Sequence, residues 1–201
     1  MFVGITSTLI SIVIGLPLGL LAGYYQGVLG TIIMRSVDLF MSFPIMVLIL
    51  VLVAIFGPSL STVIFVIGIL GWTHPAKLIY GNVISVRKRE YVQAARAIGT
   101  SDFVILMKYI LPNSIAPLWM SIAFRISHAI IMESSLSFLG AGIRPPQASW
   151  GNILYDAQNL KVLTNMPWVW IPAGLCLLFT VICINLIGEG VRDALDPKMK
   201  R

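Results

Sequence analysis

The sequence predicts an all-α, polytopic membrane protein with about five transmembrane helices. Three observations carry this prediction. The 201 residues are 58% hydrophobic and only 11% charged, with a mean hydropathy of +0.92, whereas a soluble domain is about 45–50% apolar and about 25% charged. The apolar residues gather in runs close to the ~20 residues that a spanning helix needs. The basic residues fall between and after those runs: Arg87, Lys88 and Arg89, with Arg96 and Lys108 nearby, then Arg192, Lys198, Lys200 and Arg201. The net charge of +6 therefore reads as the positive bias of cytoplasmic loops, not as a nucleic-acid surface, and no nucleic acid is expected as a partner. Two cysteines exclude a disulfide scaffold.

The first span runs from Phe2 to about Tyr24 without a charge, and no Lys or Arg precedes it, so it does not read as a signal peptide. Gly15, Gly19 and Gly23 recur every fourth residue and leave a bare stripe for a closely packed helix. Pro17 lies within that stripe and predicts a kink. Residues 26–42 carry Arg35 and Asp38 and place Ile32, Ile33, Val37 and Phe40 at helical spacing, as a short interfacial helix does. A second span covers about Leu39 to Phe56, with Pro44 early in it. Gly57-Pro58-Ser59 is a turn, so the third span, about Leu60 to Tyr80, forms a hairpin with the second. Lys77 near its end can snorkel, and His74 beside Pro75 reads as structural.

Residues 84–114 are hydrophilic, basic and helical in pattern. The fourth span, about Ile115 to Leu139, carries Arg125, His128 and Glu133. Ala141 to Met166 is a polar loop with Arg144 and Lys161, and the last span runs from about Trp168 to Ile187. Cys176 and Cys183, seven apart on it, are expected as buried small hydrophobes. Trp150, Trp168 and Trp170 suit the outer aromatic belt. Placing 84–114 and the basic tail inside leaves only Arg144 and Lys161 outside. That topology starts residue 1 outside, on an inward-going helix, and predicts a further span ahead of it.

The inner segment holds the most specific pattern. Tyr91, Ala94, Ala95 and Ile98 share one face of a short helix, and the two alanines allow close approach. Gly99 ends that helix; Thr100 or Ser101 caps the next one, which runs to Leu111 and is broken by Pro112. The result is a helix-turn-helix elbow with an apolar face ringed by Arg and Lys, suited to a groove in a cytoplasmic partner. A solvated loop held by its charges is the other reading.

Gln93-Ala94-Ala95, then Gly99, then Leu111-Pro112 resembles the E-A-A…G…I-x-L-P signature of ABC-importer permeases. Gln93 stands where that family usually has Glu, keeping its shape and losing its charge, and Tyr109 stands at the usual Ile position, with Ile110 one later. Leu136-Ser-Phe-Leu-Gly-Ala-Gly142, Pro145-Pro146, Ser149-Trp-Gly-Asn152 and Arg192-Asp-Ala-Leu-Asp-Pro197 resemble the dipeptide/oligopeptide/nickel branch, C-type subunit. The likeness extends from Gly4 to the C-terminus and lacks that family's first span.

The resemblance implies a single permease domain over 1–201 with the type I ABC-importer transmembrane fold, multi-pass in a prokaryotic plasma or inner membrane. It implies an ATPase-docking loop at about 84–114, with Tyr91, Gln93, Ala94, Ala95, Ile98, Gly99, Leu111 and Pro112 as coupling residues, and an extracytoplasmic loop at about 141–166. The partners it implies are membrane lipid, a sister permease, two cytoplasmic ABC ATPases and an extracytoplasmic solute-binding protein. The cargo it implies is peptide, nickel or metal chelate. No Gly-x-x-x-x-Gly-Lys-Ser/Thr loop occurs, so ATP hydrolysis is expected in the partners, and no catalytic residue, cofactor or metal site is expected here.

Arg125, His128 and Glu133 are the pathway candidates. Charged groups within a span face a bundle interior or a watery path, and Arg125 and His128, three apart, lie on one helix face. They fit a pathway that accepts anions or a chelate, or a polar network with a sister subunit. As an intramembrane enzyme the three would be catalytic, but no second cluster completes a hydrolytic site. A passive channel has no need of a docking elbow.

Overall fold

A computed structural model of the chain describes residues 1–143 and 146–195. Arg144 and Pro145 of the loop motif, and Asp196, Pro197, Lys198, Lys200 and Arg201 of the tail, lie outside the described residues. The regular elements of the described chain are helical: α1 (Phe2–Tyr25), α2 (Gly27–Ser42), α3 (Ile45–Phe56), α4 (Leu60–Leu70), α5 (Thr73–Arg87), α6 (Glu90–Ala97), α7 (Asp102–Val104), a π-helical turn (Ile105–Ile110), α8 (Leu111–Ser114), α9 (Ala116–Phe138), α10 (Trp150–Tyr155), a 3-10 turn (Asp156–Gln158), α11 (Leu160–Asn165) and α12 (Pro167–Leu195). Three stretches are long and apolar enough to cross a membrane, Phe2–Tyr25, Leu60–Arg87 and Pro167–Ala194, and there are five crossings if two bent helix pairs each count as one.

The glycine stripe of α1 is the central seam. A Cβ on Gly15 would lie 2.5 Å from the Trp72 carbonyl, on Gly19 2.5 Å from the Ala76 carbonyl, and on Gly23 2.7 Å from Val83 Cβ. Backbone meets backbone along the whole contact with α5, which only glycine allows. Gly4 makes the same kind of contact further out on α1, with a Cβ there falling 2.7 Å from Ile130 Cγ1 of α9. The helix continues unbroken through Pro17.

Two apolar cores flank this seam. At the inner end, Leu20 and Tyr24 of α1 pack with Ile79, Val83 and Val86 of α5 and with Val92, Ala95, Ile105, Leu106 and Ile110 of the elbow. At the outer end, Val3 packs with Ile49 and Val53 of α3, Val63, Val66 and Ile67 of α4, and Ala129 and Leu136 of α9. The α3–α4 turn forms as expected, with Gly57 at φ 85° and the Ser59 hydroxyl accepting from the Thr62 amide at 3.1 Å.

Four expectations need correction. The second span does not begin at Leu39: α2 runs to Ser42 and α3 turns away from it by 86° at Phe43-Pro44, because proline disfavours the helical conformation in the residue before it. At 12 residues and ~1.5 Å per residue, α3 is about 18 Å long, short of the ~30 Å hydrocarbon core. The 141–166 loop is not irregular but contains α10 and α11. Pro112 does not end its helix; it enters α8 in the first turn, where its missing N–H costs little, and the 55° bend falls at Ile115. Cys176 and Cys183 are exposed, because α12 keeps most of its apolar surface outside the fold.

Candidate functional site

A cavity of about 540 Å³ opens between α1, the α4–α5 junction, α9 and the bent α2–α3 pair. Its wall is mostly apolar, with Ile49, Leu70, Phe124 and Met132 among its lining, and is set with hydroxyls from Ser7, Thr8, Ser11, Thr73 and Ser121. Arg125 and His128 project into it from one face of α9, and His74 joins them from the first turn of α5. No Asp or Glu is among its described lining residues.

The break between α4 and α5 explains where Arg125 sits. The end of a helix leaves carbonyls without amide partners, and Arg125 Nη2 donates to the Gly71 carbonyl at 2.7 Å. A Cβ on Gly71 would lie 2.4 Å from Ser11 Oγ and 3.2 Å from Arg125 Nη2, so glycine leaves room for the guanidinium. Ser11 Oγ donates to the Gly68 carbonyl at 2.9 Å, one turn earlier. Arg125 Nε is buried with no hydrogen-bond partner. Among the described residues the ion pairs are Arg35–Asp38 and Lys77–Asp38, both exposed; none involves Arg125.

Glu133 is placed apart from that cluster. It is buried, does not line the cavity, and accepts from Ser137 Oγ at 2.8 Å and Ser134 Oγ at 3.5 Å. Ser137 also receives the Ile143 amide at 3.3 Å and the Ser149 hydroxyl at 3.4 Å. Gly140, at φ 78°, ends α9 with paired bonds from its own amide to the Ser137 carbonyl and from the Ala141 amide to the Leu136 carbonyl, 3.0 Å each. This is the Schellman arrangement that glycine permits. A Cβ on Gly151 would lie 2.5 Å from the Ser134 carbonyl. The Leu136–Gly142 and Ser149–Asn152 motifs are thus two halves of one joint that seats the outer loop on α9. Among the described residues, no group of three or more His, Cys, Asp or Glu is placed to hold a metal ion.

At the inner end, Gly99 turns the elbow at φ 79°. Its amide reaches the Arg96 carbonyl and the Thr100 amide reaches the Ala95 carbonyl, both at 3.1 Å, the same Schellman pairing. Ser101 holds the N-cap position of the next helix without a side-chain cap bond. The face expected to be shared by Tyr91, Ala94, Ala95 and Ile98 is split. Ala95 lies at its edge beside Val92, and both are buried against α1 and α5, whereas Tyr91, Gln93, Ala94, Ile98 and Gly99 are exposed. Leu111 is half-buried and packs against the inner core, and Pro112 is exposed. Ile98 is 82% and Phe103 72% exposed, and Met107 is exposed as well. Tyr24 donates from its hydroxyl to Asp102, while Arg87 and Arg96 stand 5.8 and 5.5 Å from its ring centre.

Sequence reasoning missed His74, whose place in the cavity depends on the α4–α5 break. It also missed Tyr24 and Asp102, which lie 78 residues apart, and Phe103, whose exposed ring only the fold reveals.

The fold and the cavity define a class: a multi-pass helical membrane protein whose inner elbow shares a core with the helices walling a central cavity. The chain belongs to the family of binding-protein-dependent transport system inner membrane components, which it matches over residues 15–201. It is 41% identical over 197 residues to the glutathione transport system permease protein GsiD of Pectobacterium atrosepticum, covering 98% of this chain and 65% of that protein. It is 38% identical over 198 residues to a putative peptide permease protein of Brucella ovis, covering 98% and 66%. The chain thus spans just under two thirds of the length of these relatives. Its fold is that of type I ABC-importer transmembrane domains: it matches a chain of the MetNI methionine ABC transporter in an inward-facing conformation with a TM-score of 0.74 at 19% identity, covering 97% of this chain and 92% of that one. A chain of an amino acid ABC transporter matches at 0.63 and 13% identity, covering 94% and 89%. It is an inner-membrane, multi-pass protein.

Proposed function

We propose that the chain is the permease subunit of an ATP-driven, binding-protein-dependent importer of peptide-class cargo, forming half of the translocation pathway beside a sister permease. The observation that carries this is the shared inner core. Val92 and Ala95 of the elbow are buried with Leu20, Tyr24, Ile79 and Val83, on the two helices that also supply Ser11 and His74 to the cavity wall. The outward residues Ile98, Phe103 and Met107 then form an apolar surface for a cytoplasmic ATPase, with Gln93, Ala94 and Gly99 beside them. An ATPase that pulls on that surface moves the joined α1 and α5 together against the other walls, α9 and the α2–α3 pair, and changes the cavity they bound.

In this reading residues 1–201 act as one permease domain. The 84–114 segment docks the ATPase, and the 141–166 segment, seated on α9 by Ser137, meets the solute-binding protein. Hydrolysis takes place in the ATPases, so this chain is not itself an enzyme. Peptide cargo is favoured by the relatives, a glutathione permease and a putative peptide permease. Arg125 and His128 serve the pathway; Glu133 serves the α9 joint.

The test is purification of the chain with its co-expressed partners, followed by ATP-driven uptake of labelled dipeptide into proteoliposomes. ATPase co-purification and uptake are expected for the wild type. With Ile98→Glu the chain is expected to remain in the membrane at normal level but to lose both, since Ile98 makes no core contact and a carboxylate in an apolar groove is costly. Wild-type ATPase binding and uptake in that variant would refute the docking surface.

A further inference from the structure

We infer that the cavity bounded by Ser11, His74, Arg125 and His128 is an anion-receiving station for the carboxylate of the passing cargo. This rests on the permease reading above and adds the chemical class that the pathway selects.

A guanidinium carries five N–H donors and stays protonated at any physiological pH. Arg125 commits one nitrogen to the Gly71 carbonyl; its Nε is buried and unpartnered, and no carboxylate of the described chain neutralises it. The carboxylate nearest in sequence, Glu133, is held by Ser134 and Ser137. A charge within a span is expensive unless something answers it. The direction in which Arg125 can be answered is set by the cavity, since its side chain forms part of the wall. His74 and His128 add imidazoles on the same wall, and Ser11 and Ser121 add hydroxyls. Among the described residues, the ionisable groups lining the cavity are Arg125, His74 and His128, so a carboxylate entering it meets donors and no like charge from them. The volume of about 540 Å³ lies in the range of small-ligand sites and accommodates a short peptide end.

The bond to Gly71 gives Arg125 a second role as the cap of the α4–α5 break, so loss of the side chain alone is ambiguous. The decisive measurement compares two cargoes on one protein. A labelled dipeptide and its C-terminal amide are bound at equilibrium to the purified importer complex without its binding protein, and each is then tested in uptake. The wild type is expected to bind the free acid about tenfold or more tightly than the amide, the scale of one charge-assisted hydrogen bond. Arg125→Gln is expected to bring the ratio close to one, and Arg125→Lys to restore part of it. Replacing His74 with Gln is expected to lower the ratio while the complex stays intact.

Equal binding of acid and amide by the wild type overturns the inference, whether or not any variant folds. So does an unchanged ratio in an assembled Arg125→Gln complex. If Arg125→Gln disassembles the complex while the wild type shows no acid preference, the guanidinium answers a carboxylate of the sister subunit, and the inference is again overturned. Absence of ATP-driven uptake for the wild type with any peptide overturns the permease reading itself, a result distinct from uptake without carboxylate preference.

Discussion

Gly19→Ala isolates the seam on which the fold depends. The added methyl would stand 2.5 Å from the Ala76 carbonyl and 2.9 Å from Ile79 Cβ. Ordinary contact begins near 3.4 Å, so α5 must retreat by about 0.9 Å at that point. It cannot do so locally. Gly15 and Gly23 hold the same two helices together one turn to either side, at 2.5 and 2.7 Å, and a retreat at the middle opens both. Overpacking of this kind costs about 1–3 kcal/mol. Gly81→Ala is the control: it lies on α5 too, a Cβ there has nothing within 4 Å, and replacing a helical glycine by alanine gains about 0.5–1 kcal/mol. Gly19 is helical too and shares that gain, so the two single-methyl variants should differ by the overpacking alone, roughly 1–3 kcal/mol, read as thermal or denaturant stability of the purified protein. Gly19→Ala should also lose uptake, because α1 and α5 both wall the cavity. A Gly19→Ala protein as stable as Gly81→Ala would refute the argument that backbone contact along the stripe fixes the α1–α5 spacing.

Ser137→Ala leaves Glu133, the Ile143 amide and the Ser149 hydroxyl without their shared partner; a loss of about 2–3 kcal/mol is expected, with faster proteolysis of the 141–166 segment as the local readout. Tyr24→Phe keeps the ring between Arg87 and Arg96 but removes the bond to Asp102, and should cost about 1.5 kcal/mol and speed amide exchange in residues 98–105 more than in α5. Val92→Glu, buried in the inner core, should prevent stable insertion, in contrast to Ile98→Glu, which is expected to insert normally; equal membrane levels for the two would contradict the split assignment of the elbow faces.

The parts legible in the sequence were those written in short-range chemistry. Phe2–Tyr25 and Ala116–Phe138 agree with the expected spans to within a residue or two at each end, because a mainly apolar run of that length satisfies its backbone in a bilayer only as a helix. Gly15, Gly19 and Gly23 announced a close helix contact through their spacing, though nothing in the spacing named α5 as the neighbour. The elbow turn at Gly99 was readable for the same reason. What was not readable depended on three-dimensional closure. Ala95 and Ile98 lie within 60° of each other on a helix, and only the position of α1 and α5 decides that one is inside and the other out. His74 read as structural beside Pro75, and only the packing of α5 beside α9 sets its ring on the same cavity wall as Arg125. Glu133 and Arg125 read as pathway candidates on one span, yet the seven residues between them carry the carboxylate off the cavity wall and into a separate serine cluster.

Between the last residue of α5, Arg87, and the first of α6, Glu90, there are only two residues, and their amides are tied back to Ser85 and Val86 at 3.3 and 3.0 Å. In mechanical terms this is a rigid crank with no slack. Work done on the elbow cannot be absorbed as bending of a tether and reaches α5 as rotation or translation of a whole helix. A few glycines inserted after Lys88 would act as a clutch, leaving both halves folded while the stroke is lost between them.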